Sequence, residues 1–528
     1  MKKLLYSAVF CLALASCSKS ETSYVDPLKE RDAKKVEISG TLKFSDGTPA
    51  AGVVVSDGYS CAQTAADGTY TLTKNDDAYY VFYSIPSDAA VEVGSDGLPC
   101  FYTKVESNKT QYDFTLTKQS VQTKFRMLAV GDIQVKNDAN ISRFKGETLP
   151  DLKKFGSANN DLPIYAIHLG DLGFNTWNIY PSIIPQIAKS ATGIPMFMVI
   201  GNHDHEYPVN GNLPAQRKYE AKCGPVNYSF NIGDVHFISM DDVLHTGEAS
   251  AKYDGGFLTT QYEWLKQDLS YVSKDKHVVL AVHIPFRDAF YTNYGVGKSL
   301  GLPTGCYYNE VLALMAQFQE ATIFSGHLHQ IRNSYTHQSG KKTIQEYGPG
   351  AACGGLWTSV SCWDGAPNGY EVVEFDGTTI KDLYYKGVNF DKGHQMRIYY
   401  APDFPSFKYT LSSETIDGSW PLVTEANTYI INVWNSLPGW ETEVYEDGVK
   451  QGSLNRKDFR DLFVMYSYYN AAQYSHLDET DGKWDHMYYY RPKNPSFTTL
   501  KVVAKDPYGN VYECDKITKP GDNCVMSY

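Results

Sequence analysis

The sequence has no apolar run long enough to cross a bilayer as a permanent helix. Its N-terminal apolar stretch, Leu4 to Ala13, is far shorter than the ~20 residues that a spanning helix needs. It has no run of lysine and arginine either. With 48 basic against 60 acidic residues, the formal net charge is −12. Such a balance repels phosphate backbones unless a local basic patch overrides it, so no nucleic-acid partner is expected. None of the ten cysteines falls at zinc-knuckle spacing, which argues against a cysteine-based metal site. No internal repeat or low-complexity tract stands out. What is present is ordinary for globular protein, at 42% hydrophobic and 20% charged. The 528 residues exceed what one core can cover, so two to four domains are expected.

The first residues read as a processing signal. Lys2 and Lys3 precede the apolar stretch, and Leu14-Ala15-Ser16-Cys17 resembles the lipobox of bacterial lipoproteins, in which the cysteine is acylated and becomes the mature N-terminus. Residues 1–17 are expected to be a signal peptide ending at lipidated Cys17, and the polar residues 18–35 a linker. Two or more acyl chains, at ~0.8 kcal/mol per buried methylene, anchor a protein stably. The expected location is therefore on a membrane outside the cytoplasm, facing the periplasm or the cell exterior. Export permits disulfides. Cys353–Cys362 and Cys514–Cys524 are sequence-near candidates, although sequence alone does not set connectivity.

From Val36 to Leu116, short alternating runs are broken by Asp46-Gly47, Asp57-Gly58 and Asp67-Gly68, dipeptides that supply the positive φ of hairpin turns. Residues 36–118 resemble the transthyretin-like regulatory β-sandwich, and a structural or spacer role is expected of them. Over residues 122–392 apolar runs alternate with helical stretches. Thr260-x-x-Glu263 has the form of a capping box for a helix carrying Tyr262, Leu265, Leu269 and Val272, and Asn309 to Phe318 repeats the helical spacing. Strand followed by helix predicts an α/β fold with a parallel or mixed sheet covered on both faces, with Val235–Met240 and Glu371–Phe375 as added strands. Past Gly393 the turn signals are Pro438-Gly439, Asp447-Gly448, Asp481-Gly482 and Tyr508-Gly509. They separate strand candidates at Arg397–Tyr400, Tyr429–Trp434, Thr442–Tyr445 and Thr499–Ala504, so residues 393–528 are expected to form a second all-β domain.

The chemistry gathers in the middle of the chain. Phe125–Val130 ends at Gly131-Asp132-Ile133-Gln134, and Ile164–Leu169 at Gly170-Asp171. Pro195–Ile200 ends at Gly201-Asn202-His203-Asp204, Val278–Val282 at His283, and Ala321–Ser325 at Gly326-His327-Leu328-His329. Buried strands that stop in this way deliver polar side chains to one rim of a sheet. Carboxylate, amide and imidazole together suit a borderline divalent ion such as Mn, Fe or Zn, and the absence of thiolate disfavours structural zinc. Seven donors exceed the need of one ion. Two ions sharing a carboxylate from one of the blocks sit roughly 3.5–4 Å apart, the spacing used to activate water for in-line displacement.

In this order the blocks closely resemble the signature of the calcineurin-like metallophosphoesterases, over about Phe125 to His329. The resemblance implies a two-sheet α/β sandwich with a dinuclear site at the strand ends. It implies that one metal takes Asp132, Gln134, Asp171 and His329, and the other Asp171, Asn202, His283 and His327, with Asp171 bridging. It further implies that His203 is no ligand but stabilises the transferring phosphoryl group and protonates the leaving oxygen, with Asp204 orienting or charge-tuning it. With two such ions, a bridging hydroxide is expected to attack phosphorus in line. Gln134 stands where the first motif usually has histidine. Leu172-Gly173-Phe174 lacks the arginine of the Ser/Thr protein phosphatases and has Phe174 at the place of the metal-binding tyrosine of purple acid phosphatases, so neither branch is expected. Asp204 stands where the protein phosphatases have glutamate. A small non-protein phosphomonoester, phosphodiester or pyrophosphate is the expected substrate.

His168, His236 and His277 lie in or beside apolar runs and are expected to be structural. His205, next to the central motif, and Arg287, four residues past His283, are candidate substrate contacts. Trp357, Trp363 and Tyr370 read as aromatic core rather than as a stacking platform. Two other functions use the same features. One is a lipid-anchored surface protein that binds a glycan or a partner and retains the hydrolase fold for shape. The other is a carbohydrate-binding assembly built on the two β domains. The complete donor set with His203 favours the hydrolase, since an idle site has no physical need to gather buried acids and imidazoles.

Overall fold

The computed structural model describes residues 36–520 apart from 210, 246–251, 287–300, 334, 405–407, 412–413, 418–426, 438, 459, 471–483 and 494–495. The expected signal peptide with Cys17, the linker, Arg287, Pro438, the Asp481-Gly482 turn and Cys524 lie outside the described residues.

Two sheets face each other in the centre. The first runs Met196–Val199, Ile164–Leu169, Lys124–Val130, Gly369–Asp376 and Thr379–Gly387 in spatial order, its first three strands parallel and the last two antiparallel additions. The second runs Tyr228–Ile232, Val235–Ser239, His277–Ala281, Glu320–Phe324, Lys342–Tyr347 and Tyr335–Ser339, with its four inner strands parallel. Strands covered on both faces must be apolar on both faces, and these are. Phe125, Met127, Ala129, Ile167 and Phe197 of the first sheet meet Phe230, Phe237 and Val279 of the second in one core. Their alternates Leu128, Val130, Ala166, Met196 and Met198 pack beneath the helices Asp138–Gly146, Thr148–Ala158 and Tyr180–Ile187. This period of two is that of the pleat. Phe197 and Phe230 stack between the sheets with ring centroids 3.6 Å apart, and Phe230 stacks on Phe237 at 5.0 Å.

The helix expected near Thr260 spans Thr259–Ser270, but its cap differs from the expectation. Gln261 Oε1 accepts the Leu258 backbone N–H at 2.8 Å, so the reciprocal bond comes from Gln261 rather than Glu263. The second helix covers Tyr308–Met315. The Cys353–Cys362 pairing is also corrected. Both thiols are free and buried, Cys353 Sγ turning to His329 Nδ1 at 3.4 Å and Cys362 Sγ to the carbonyls of Ala351 and Pro367.

Residues 36–116 form two small sheets, of three and four strands, whose hairpin glycines Gly47, Gly58 and Gly68 take φ of +84°, +85° and +80°. Their core is continuous with the central one, and Trp264 Nε1 donates to Ser56 Oγ at 3.0 Å. The C-terminal residues form a second sandwich, in which Met396, Ile398, Ile431 and Val433 face Val444, Val502, Ala504 and Tyr512. It also contains the helix Leu462–Asn470, unforeseen in an all-β reading. The run Leu462-Phe463-Val464-Met465 carries no period that separates helix from strand. Asp461 decides the matter by accepting the Val464 N–H at 2.9 Å, as an N-cap does. Among the described residues no helix is long and apolar enough to cross a membrane.

Phe230→Ala removes the middle of the aromatic stack between the sheets. We expect a loss of about 3–5 kcal/mol in unfolding free energy, measurable by denaturant titration. A loss below about 1 kcal/mol would mean that the sheets are not held together there.

Candidate metal centre

The strands end at one rim through backbone that most side chains avoid. Asp132, Gln134, Asp171, His327 and His329 have φ of +33°, +41°, +56°, +77° and +53°. A left-handed non-glycine residue costs on the order of 1–3 kcal/mol, and such residues gather where surrounding structure imposes a functional geometry. Glycines make the close approach feasible. A Cβ on Gly201 would lie 2.2 Å from Asp171 Oδ1, and one on Gly170 would lie 2.4 Å from His283 Nδ1.

Asp171 sits in the middle. Its Oδ1 accepts the His203 backbone N–H at 2.8 Å, while Oδ2 takes Gln134 Nε2 at 3.0 Å and lies 3.4 Å from His283 Nε2. On one side are Gln134, Asp132 and His329, with His329 Nε2 3.7 Å from Asp132 Oδ1. On the other, His283 Nε2 is 2.9 Å from Asn202 Oδ1 and 3.2 Å from His327 Nδ1. Ligand atoms of Asp171, His283 and His327 all lie within 4.8 Å of one another. The structure thus links the seven side chains expected as ligands: Gln134 and His283 reach Asp171, Asn202 and His327 reach His283, and Asp132 takes the His327 N–H at 2.9 Å beside His329.

The donor set fits divalent cations. Leu169 O lies 2.8 Å from His283 Nδ1, and Gly354 O lies 2.9 Å from His329 Nδ1. A carbonyl can only accept, so those nitrogens carry hydrogen, and the lone pair of the neutral ring is on the inward Nε2. Gln134 Oε1 is buried with no partner. Inward lone pairs, an orphaned amide oxygen and two carboxylates call for positive charge. Ionisation tells the same story. Burial alone pulls the His283 imidazole down, but the Asp171 and Asp132 carboxylates override it and lift it to about 10. Burial, helped by Asp171, pushes Asp132 up to about 8 against the pull of His283. Burial also pushes Asp171 up, yet His283 and His203 outweigh it and hold this carboxyl well below its usual range. Burial pulls His327 down to about 3 and His329 down to about 4.

His203 lies at the rim, half-buried, its ring stacked on Phe174 at 4.4 Å between centroids. The structure corrects the orienting role expected of Asp204. That carboxylate accepts the backbone N–H groups of Leu172, Gly173 and Gly201 and the Tyr180 hydroxyl, so it ties two ligand loops together instead of touching the imidazole. The partner of His203 is Asn175, whose Oδ1 is 3.1 Å from Nδ1. His205 is corrected too. It is wholly buried, with Nδ1 at 2.9 Å from Gly201 O and Nε2 at 3.0 Å from Asp241, so neither nitrogen faces a substrate. His236 and His277 are buried in hydrogen bonds to Asp268 and Thr322, and His168 is buried under Ile133. Trp357, Trp363 and Tyr370 are buried in the hydrophobic clusters.

Sequence reasoning passed over Asn175, Asp241 and Asp242. Asp242 accepts the His283 and Ile284 N–H groups at 3.1 Å each. The strand Val235–Ser239 hands over to Met240-Asp241-Asp242 just as the ligand strands hand over to theirs, so a signal for these two was present. Asn175 carried none beyond its place four residues past Asp171. Tyr253 OH, 3.2 Å from His327 Nε2, was likewise not anticipated.

A two-sheet α/β sandwich with this donor set on its rim defines a metal-binding protein of the phosphoesterase type. Residues 36–119, 125–331 and 346–512 match the profiles described as the N terminal of calcineurin-like phosphoesterase, the calcineurin-like phosphoesterase, and its C terminal. The chain belongs to the calcineurin-like phosphoesterases. Among individual proteins, it is 26% identical over 148 residues to purple acid phosphatase 23 of Arabidopsis thaliana, covering 26% of this chain and 28% of that one. It is 27% identical over 157 residues to purple acid phosphatase 15 of the same plant, covering 27% and 25%. The chain thus spans about a quarter of the length of these relatives. A purple acid phosphatase structure from yellow lupin (Lupinus luteus) seeds aligns at 14% identity with a TM-score of 0.31, over 80% of this chain and 69% of that one. Phe174 remains the departure from that branch, and its ring lies on His203.

Gly201→Ala drives a methyl group into the Asp171 carboxylate. We expect it to lower divalent-metal affinity at least roughly tenfold, as changes that misplace a ligand do, with the circular dichroism spectrum retained. Titration calorimetry on both proteins measures this, and equal affinities would count against the close approach.

Proposed function

We propose that the protein is a metal-dependent phosphoester hydrolase with a dinuclear site, acting outside the cytoplasm on a small non-protein phosphomonoester, phosphodiester or pyrophosphate. The observation that carries this reading is the convergence of Asp171, His283 and His327 within 4.8 Å, flanked by the remaining donors, in a member of this family. When bound there, two divalent cations supply Lewis-acid charge and lower the pKa of a shared water from 15.7 toward about 7. Asp132, Gln134, Asp171 and His329 would hold one, and Asp171, Asn202, His283 and His327 the other.

The chain's own side chains supply the rest. Asn175 Oδ1 accepts the Nδ1–H of His203, which leaves Nε2 as the nitrogen free to meet a substrate oxygen. Phe174 covers one face of the ring, so the imidazole works through its edge. When a second proton sits on Nε2, the cationic ring can stabilise the transferring phosphoryl group and pass that Nε2 proton to the departing oxygen, returning to the neutral Nδ1–H form. Gln134 contributes a neutral oxygen where histidine is usual, so the first half-site carries no imidazole besides His329. The lipobox-like Leu14-Ala15-Ser16-Cys17 supports attachment to a membrane through lipid.

The test is turnover of p-nitrophenyl phosphate, its bis-ester and pyrophosphate with Mn, Zn or Fe supplied. Hydrolysis of at least one, abolished by chelation, is expected. Bound metal without turnover of any of them would leave the binding-protein alternative standing. His203→Ala should keep its metal and lose about 10²–10⁴-fold in turnover, whereas Asp171→Ala should lose metal and activity together. Unchanged turnover in the first variant removes His203 from the mechanism.

A further inference from the structure

The loop from Pro349 to Asn368 touches the metal centre from behind. Cys353 N donates to Asp132 O at 3.0 Å, Trp357 Nε1 donates to Ile133 O at 2.8 Å, and Gly354 O fixes the His329 ring. Trp363 N donates to His329 O at 3.0 Å. One residue on, Asp364 Oδ2 accepts the Ile331 N–H at 2.7 Å while Oδ1 accepts that of Ala366 at 3.1 Å. The backbone around His329 is therefore gripped at two points by adjacent residues of this loop.

The loop is in turn met by buried polar side chains of the C-terminal sandwich. His486 Nε2 lies 3.2 Å from Asp364 Oδ2, and Asn432 Nδ2 donates to Asp364 O at 2.8 Å. Asn432 also joins His486 Nδ1 at 2.8 Å and Asp461 at 2.9 Å, and Asp461 takes the Tyr399 hydroxyl at 2.5 Å. Arg397 donates to Gly365 O. Gly365 lies so close that a Cβ there would be 2.2 Å from the Asp461 carboxyl carbon. Asp364, Asp461 and Asn432 are completely buried. A joint that needed only adhesion would be served as well by apolar residues, because buried carboxylates are costly to desolvate. Asp364 accepts backbone N–H groups and fixes the course of the loop, while Asp461 caps its own helix and lies against Gly365. In the other half of the centre, His283 hangs on Leu169 O and Asp242 within the central sandwich, and the His327 N–H, 2.9 Å from Asp132 Oδ2, ties that half to the first.

We propose that the C-terminal sandwich is a working part of the metal centre, and that Asp364 is the positioning residue through which it sets the half-site of Asp132, Gln134 and His329. This rests on the dinuclear reading above. The consequence is an asymmetry: loosening the Asp364 joint weakens one metal equivalent and spares the one held by Asn202, His283 and His327.

The experiment is calorimetric titration of Zn or Mn into metal-stripped full-length protein, for wild type, Asp364→Asn and His486→Gln. Asp151→Asn serves as control, since it alters a buried carboxylate whose partners are Tyr370 and Lys386. Two equivalents are expected for the wild type and the control. Asp364→Asn should retain one equivalent within about twofold and weaken the other by roughly 10–100-fold, with an unchanged circular dichroism spectrum. His486→Gln approaches the joint from the C-terminal side and should move the same equivalent in the same direction, so the inference is still tested should Asp364→Asn fail to fold. Two unchanged equivalents in these variants, or equal weakening of both, overturns the inference while leaving the hydrolase reading intact. A wild type that binds no metal overturns both.

Discussion

The Asp171 carboxylate is held from four directions at once, and the rest of the rim takes its shape from that grip. The His203 backbone, the Gln134 amide and the His283 imidazole all reach it, and the Gly201 backbone lies against it without room for a methyl group. Such an approach requires the strands ending at Leu169 and Val199 to be direct neighbours, which their parallel pairing provides. It also requires the second sheet to bring His283 across the gap, and its ring does so on the Leu169 carbonyl. Backbone of two sheets thus converges on one acid, and that convergence accounts for the left-handed turns at five ligand positions.

Much of this could be read from residues alone. Each apolar run ending in Gly and then Asp, Asn or His announced both a buried strand and the rim to which it leads. The period-two burial around Met127, Leu128 and Ala129 is the structural form of that signal. What escaped were features that depend on contacts far apart in sequence. Nothing near Asp204 says that its carboxylate turns back to Gly173 and Tyr180, or that Asn175 takes its place beside His203. Adjacent position suggested a substrate role for His205, yet burial between Gly201 and Asp241 removes it from the rim. The helix at Leu462–Asn470 was hidden for a different reason: an apolar run without polar interruption has no face to reveal its period.

Family membership and local chemistry answer different questions here. The three matched segments place the chain among the calcineurin-like phosphoesterases, while the side chains around His203 mark an individual arrangement within them. Phe174 gives the imidazole an apolar neighbour rather than giving a metal an oxygen, and Asn175 supplies a neutral acceptor at its far nitrogen. A neutral acceptor fixes the tautomer without adding negative charge to a rim that already gathers two carboxylates.

The donors are divided between the sheets. Asp132, Gln134, Asp171 and Asn202 follow strands of the first, and His283, His327 and His329 follow strands of the second. An ion coordinated from both sides, as proposed, would act as a rivet across the sandwich and add stability by RT ln(1 + [M]/Kd) for each site filled. Resistance to proteolysis would then follow the supply of free metal, so that scarcity of the ion removes the enzyme as well as idling it.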